Sequence, residues 1–324
     1  MDSSGKRTVP SFDELPTLPD SSERHAWDVW GRDDELGSVN FIDAAKVRAA
    51  GALIQSGRVI SLNLPLNEPS PGLFAGRSAP SHHIAEVGHG RDDYLDGFFL
   101  QFSSQWDGLR HVRFRQHGFW GGRQDSDIDE RGEIGIERWS RHGIITRGVL
   151  IDAYRFFALH DLPVEQDENF RITPDMLDEI LADQSVTVRE GDVVILRTGW
   201  LGWYRDLQPE QRQALVGTVG RQPHPLACPG LHAGPDTAAW LWNRRVAAVA
   251  ADNPTLEALP VDREIGFLHY RLLPLLGIPI GEYWALTELA EHCAQTGRYE
   301  FMLSSGVLDL PGGVGSPSNA YAIF

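Results

Sequence analysis

Three short apolar runs constrain this chain most: Gly148-Val-Leu-Ile-Asp-Ala, Asp192-Val-Val-Ile-Leu-Arg-Thr-Gly and Val246-Ala-Ala-Val-Ala-Ala-Asp-Asn. None alternates apolar with polar residues, so each must bury both faces, as the central strands of a covered sheet do. Between the first two lies Thr173-Pro-Asp-Met-Leu-Asp-Glu-Ile-Leu-Ala, with a threonine cap, proline at the first helical position and acids in the first turn. A second helix of this kind opens at Gly234-Pro-Asp-Thr and runs into the third strand. Strands alternating with capped helices predict an α/β fold around a mixed sheet, in which polar residues at strand ends often carry the site.

The rest of the chain fills in around that frame. Asp43 caps a predicted helix over about 43–56, with Ala44, Val47, Ala50, Leu53 and Ile54 at helical spacing and Gly57 as its stop. The run from Val59 reads as a strand ended by Pro65, and Gly97-Phe-Phe-Leu-Gln-Phe-Ser-Ser as another. Residues 67–91, rich in Pro, Gly, Ser and His, read as a long lid or binding loop, which brings His82 and His83 among the candidates. Residues 123–138 read as charged turns, and 1–23 as an arm on the surface or on a neighbouring subunit. No repeat or composition break divides residues 24–324, which are expected to form one domain.

Composition narrows the partners. The 324 residues are 42% hydrophobic, enough for a substantial core. Lys and Arg number 29 against 45 Asp and Glu, a net charge of −16, which disfavours nucleic acid and anionic membrane surfaces. Two cysteines, Cys228 and Cys293, make no disulfide framework, and no run has the length of a membrane span. A cytoplasmic protein with a small-molecule substrate is the expectation. Nicotinamide or flavin chemistry finds no support, since no G-x-G-x-x-G follows a strand.

The stretch with the most chemistry is Gln101-Phe-Ser-Ser-Gln-Trp-Asp-Gly-Leu-Arg-His111. In an extended strand entering a turn, Gln105 and Asp107 share one face and His111 can fold back toward them, half of a metal site. Carboxylate and imidazole are ordinary zinc or manganese ligands, and an amide oxygen is a weaker one. The same residues also suit a structural role, with Asp107 capping the turn at Gly108 and His111 a hydrogen-bonded core histidine.

Several segments together resemble the bacterial cyclase family, which includes kynurenine formamidase, isatin hydrolase and trans-dienelactone hydrolase. Residues 101–111 line up with that family's H-x-G-T-H-x-D-x-P-x-H signature. The runs at Gly148 and Gly191, the His269 segment, Glu282 and Gly315-Ser-Pro-Ser-Asn-Ala-Tyr-Ala-Ile follow in the family's order. Here Gln101 and Gln105 replace the two leading histidines, Ser103-Ser104 replaces Gly-Thr, and Leu109 replaces proline, so the Q-W-D-G-x-x-H form looks like a distinct branch.

The resemblance implies a mixed-sheet, swivelling β/α/β fold with flanking helices, and a metal-dependent hydrolase. Such an enzyme opens a small lactone, cyclic imide or N-formyl compound through a metal-activated water. It implies Gln105, Asp107, His111, His269 and Glu282 around a divalent ion, zinc first and manganese as the alternative. Catalytic roles fall to His269, His111 and Glu282, with His269 the general base if one ion binds. Trp106, His117, Phe119, Trp120, Trp284, His82 and His83 are candidates for the substrate wall, though the rings suit the core equally. Arg110, Arg113 and Arg115 are candidates for a substrate carboxylate. A homodimer or homotetramer is expected. The rival readings are a cyclase or dehydratase using the same metal, and a binding protein that has lost it.

Overall fold

A computed structural model describes residues 8–220 and 225–324. Its centre is one nine-stranded sheet built from strands that lie far apart along the chain. Four neighbouring strands run parallel: Ile144–Asp152, Val193–Arg197, Ala248–Ala251 and Ile280–Glu282. The middle two of these, and the last, are buried almost throughout, as their uninterrupted apolar sequence requires. Antiparallel strands extend the sheet on both sides. Glu300–Ser305, Ala320–Ile323 and Val59–Ser61 continue one edge. Gln105–Asp107 and Gly315–Pro317 continue the other. This is the mixed α/β architecture expected from the sequence.

Helices Pro174–Asp183 and Pro235–Asn243 form where the sequence places them, the first with Thr173 accepting from the Met176 amide. Their apolar sides, Leu177, Ile180 and Leu181 on one and Ala238, Leu241 and Trp242 on the other, join the main core. The helix at residue 43 ends at Gly51 rather than Ser56. Leu268–Tyr270 continues into a π-helical turn, Arg271–Leu276, that holds Pro274. Proline cannot donate to the ordinary i→i−4 ladder, and a widened turn accommodates that loss.

Three segments differ from the sequence reading. Residues 67–91 are not one loop: Ser81–Val87 and Gly90–Asp96 pair as a hairpin. Both its faces are exposed, so its residues carry no alternation to betray it. Residues 97–104 bend rather than extend, leaving a strand of only three residues, Gln105–Asp107. Residues 123–138 hold two short helices, Asp125–Arg131 and the start of Glu137–His142, in a stretch whose charge density suggests turns.

Of the N-terminal arm, residues 1–7 lie outside the described residues. Residues 8–23 lie on the chain's own body, where Phe12, Leu15 and Leu18 are buried. The Trp242 indole donates to the Pro10 carbonyl at 3.0 Å, and the Phe12 amide donates to Asn243 at 2.8 Å.

Candidate metal centre

Strand register places the site. Gln105 lies opposite Glu282, and Asp107 lies opposite Ile280 on one side and Gly315 on the other. Because successive strand residues face opposite ways, Gln105 and Asp107 point to the site while Trp106 points into the core. Trp106 packs edge-on against Trp284 at 5.0 Å and donates to the Ser305 hydroxyl. Glycine is required at 281, where a Cβ would come within 2.7 Å of Ala250 and 2.8 Å of the Trp284 indole.

Asp107, His269 and Glu282 each offer a donor atom within 4.8 Å of the others, and all three are buried. His269 Nε2 lies 3.2 Å from Glu282 Oε1 and 3.6 Å from Asp107 Oδ2. His111 Nε2 lies 3.6 Å from the same aspartate oxygen, and its ring is partly exposed. Gln105 donates to Glu282 Oε2 at 2.7 Å. Both oxygens of Asp107 and the carbonyl oxygen of Gln105 are buried without a hydrogen-bond partner among the described residues.

A fourth acid, Glu257, completes the surroundings. It is wholly buried, and both its oxygens lie 3.0 Å from His269 Nδ1. That contact places the imidazole proton on Nδ1 and leaves the Nε2 lone pair free for a metal between Asp107 and Glu282, the carboxylate–histidine arrangement that orients metal-ligating histidines. Leu256 and Tyr283, each next to one of the two glutamates, have φ of +60° and +55°. Bulky residues are strained in that left-handed region, and such strain gathers at functional sites.

Electrostatics follow from packing three carboxylates around two imidazoles. Burial, reinforced by the charge of Asp107, lifts Glu282 to about 7. Burial also raises Glu257. His269 loses charge preference to burial but gains more from Glu257, Asp107 and Glu282, so its value rises well above the ordinary one. His111 is driven down by burial despite Asp107. For Asp107 burial works toward protonation, yet the positive charges of His111 and His269 hold it below the ordinary value. Buried carboxylates persist only when paired or bound to a cation, and Asp107 has two oxygens free for one. The donor set of carboxylate, imidazole and amide oxygen therefore fits a divalent metal.

The other candidates lie elsewhere. Trp120 and Trp284 are core residues, their indoles donating to Asp34 and to the Gln105 carbonyl. Phe119 is buried as well. His117 pairs with Asp20 at 2.7 Å. His82 and His83 pair with Asp93 and Asp96 on the exposed hairpin. Arg110 is spent on three backbone carbonyls, those of Glu133, Gly312 and Ile128, and Arg113 pairs with Asp125.

Sequence reasoning missed Glu257, Phe267, Arg77 and Tyr283. Phe267 stacks on His269 at 4.5 Å, the ring planes nearly parallel, and also lines a cavity of about 410 Å³ with Leu226, Leu259, Arg263 and Tyr270. Glu257 had one available signal, the polar residues Asp252 and Asn253 that end the Ala248–Ala251 strand just before it.

Known proteins share this architecture. A sequence model of the cyclase family matches residues 60–258. A solved structure described as a novel cyclase is 34% identical, covers 93% of this chain and 99% of its own, and has a TM-score of 0.80. The chain belongs to the cyclase family. Within that fold, isatin hydrolase A from Labrenzia aggregata bound to benzyl benzoate is 15% identical, with 82% and 93% of the two chains covered and a TM-score of 0.55. A predicted metal-dependent hydrolase from Bacillus stearothermophilus is also 15% identical, with 82% and 97% covered and a TM-score of 0.51. At that identity the likeness of these two to the chain is one of fold alone. No curated protein matches.

Proposed function

We propose that this member of the cyclase family is a metal-dependent hydrolase that opens a small lactone, cyclic imide or N-formyl compound. The observation that carries this reading is the pair of buried Asp107 oxygens, without a hydrogen bond among the described residues, beside His269 and Glu282. Asp107, His269 and Glu282 would hold a divalent ion, with the Gln105 carbonyl oxygen as a further donor. Such an ion, zinc or manganese, supplies Lewis-acid polarisation of a carbonyl and acidifies a water.

The chain's own groups divide the remaining work. Glu257 fixes His269 in the tautomer that presents Nε2. Both ring nitrogens of His269 are thereby engaged, so the general base passes from His269 to His111, which is less buried and favours its neutral form. His111 takes a proton at Nε2 from the attacking water and returns it to the leaving oxygen or nitrogen. Phe267 walls the cavity on the side of His269 and keeps bulk water from the ring.

Elemental analysis of wild-type and Asp107→Ala protein, with a panel of lactones, cyclic imides and formamides, tests the reading. Stoichiometric metal lost in the variant and products heavier by one water support it. Products lighter by one water would favour the cyclase or dehydratase alternative, and metal retained by Asp107→Ala would remove the site.

The exposed hairpin also bears on assembly. A lone two-stranded hairpin is marginal in water. This one leaves Ile84, Val87 and Tyr94 exposed, and we infer that it packs on a second copy in a homodimer or homotetramer. Light scattering on a chain with the hairpin shortened checks this. No described helix is long and apolar enough to cross a membrane; the cytoplasmic location is a proposal that cell fractionation tests.

A further inference from the structure

One cation near the centre is not used by the chemistry described above. Arg77 is half-buried, and its guanidinium lies 4.3 Å above the Phe74 ring. Its Nη1 donates to the Gln101 carbonyl at 3.0 Å. Among the described residues its other guanidinium nitrogens have no hydrogen-bond partner and no carboxylate lies within 4.0 Å of it. Gln101 in turn packs against Gly315, where a Cβ would come within 2.5 Å of the glutamine amide, and Gly315 is the register partner of Asp107. Arg77 thus sits at the edge of the strand pair that carries the acids. Its charge reaches Asp107, His111, Glu282 and Tyr283 alike.

A second unused donor lies close by. Tyr283 is 1% exposed, yet its hydroxyl has no hydrogen-bond partner among the described residues. It belongs to the smaller core cluster with Leu73 and Trp200, and Phe74 packs on that cluster. An orphaned buried hydroxyl costs on the order of 1–3 kcal/mol, which a ligand would recover.

We propose that the substrate of this site carries a carboxylate or a similarly compact anionic group, held by the free edge of the Arg77 guanidinium and by the Tyr283 hydroxyl. This rests on the reading of the acid cluster as a reaction centre. Arginine suits such a group because its planar fork meets a carboxylate through two parallel hydrogen bonds, whereas balancing the buried acids at a distance would need only a point charge. Arg110 is not available for it, since three of its nitrogens are spent on backbone carbonyls, and Arg113 is exposed and paired with Asp125.

The probes are benzoate and its neutral isostere benzamide, titrated by calorimetry into metal-loaded protein. The wild-type chain is read first and needs no variant: benzoate should bind at least about tenfold more tightly, as expected for a charge-assisted pair. Equal affinities overturn the proposal. Arg77→Met should erase the preference and Arg77→Lys should keep part of it, while Tyr283→Phe should weaken benzoate by a few-fold. Benzoate binding unchanged in Arg77→Met overturns the proposal even if the wild type prefers the anion, because the metal alone would then hold it. Turnover separates the two readings. Arg77-dependent benzoate binding without any hydrolysis removes the hydrolase and leaves the anion site. Hydrolysis of carboxylated and neutral substrates with the same kcat/KM ratio in wild type and Arg77→Met removes the anion site and leaves the hydrolase.

Discussion

Gln105 and Glu282 face each other across two antiparallel strands, and the amide of the first donates to the carboxylate of the second at 2.7 Å. That bond fixes which end of the glutamine is left over. With Nε2 committed to Glu282, the carbonyl oxygen has no partner and joins the two oxygens of Asp107 as an open acceptor. A glutamine at this position can therefore hold a neighbouring ligand in place and offer one itself.

Gln105→Leu keeps the shape and removes the donor, leaving Glu282 buried with one contact fewer. Urea denaturation of the metal-stripped chain should show a loss of about 1–3 kcal/mol. An unchanged midpoint would mean that the glutamine is not supporting Glu282.

Glu257→Gln removes the charge that orients His269 without emptying the space. Outer partners of this kind typically contribute 10–100-fold to metal affinity, so a chelator competition should show weakening of roughly that size. Affinity equal to wild type would separate Glu257 from the centre.

Metal removal should give the stability an unusual pH dependence. Glu282 is raised to about 7, and Glu257 and His269 also shift upward. A raised value means that the folded chain holds the proton more tightly than the unfolded one. The stabilisation is complete below the unfolded values and is lost as pH climbs through the folded ones. His111 shifts downward and opposes this only below its ordinary 6.5. From about pH 6.5 to 8 the melting temperature of stripped protein should therefore fall, and added zinc or manganese should restore it at the upper end. A flat or rising profile in the stripped protein contradicts the assigned shifts.

Gly37 and Gly277 meet backbone to backbone, with Gly37 at φ +62° and a Cβ there only 2.2 Å from the Gly277 carbonyl. Gly37→Ala should cost on the order of 2–4 kcal/mol through strain and displaced backbone. The neighbouring Trp120, fully buried, is expected to act the same way: Trp120→Ala should cost about 3–5 kcal/mol. A rise in KM or a fall in kcat for Trp120→Ala without any loss of stability would return that ring to the substrate wall.

The parts of this fold that were legible in the sequence are those where burial writes itself locally. The runs at 148, 192 and 246 have no polar alternation because helices or further chain cover both faces, and the caps at Thr173 and Gly234 announce what covers them. The hairpin at 81–96 left no pattern because neither face is buried. Asp107 was read from the spacing of its stretch, and Glu282 from the family resemblance beyond the 101–111 signature; the two acids meet beside His269. Glu257 and Arg77 were not legible, because what makes them notable is three-dimensional: one is a carboxylate behind a histidine, the other a guanidinium with no acid beside it among the described residues. The tryptophans misled for the opposite reason, since aromatic composition alone does not distinguish a cavity wall from a strand's hidden side.

The order of strands in the sheet has a bearing on biosynthesis. Asp107 is among the earlier strand residues to be translated, yet its two neighbours, Ile280–Glu282 and Gly315–Pro317, are among the last. Half-made chains emerging from the ribosome thus carry an acid with nothing to close around it. Under the proposed reading, ion capture waits until both of these later strands have been made.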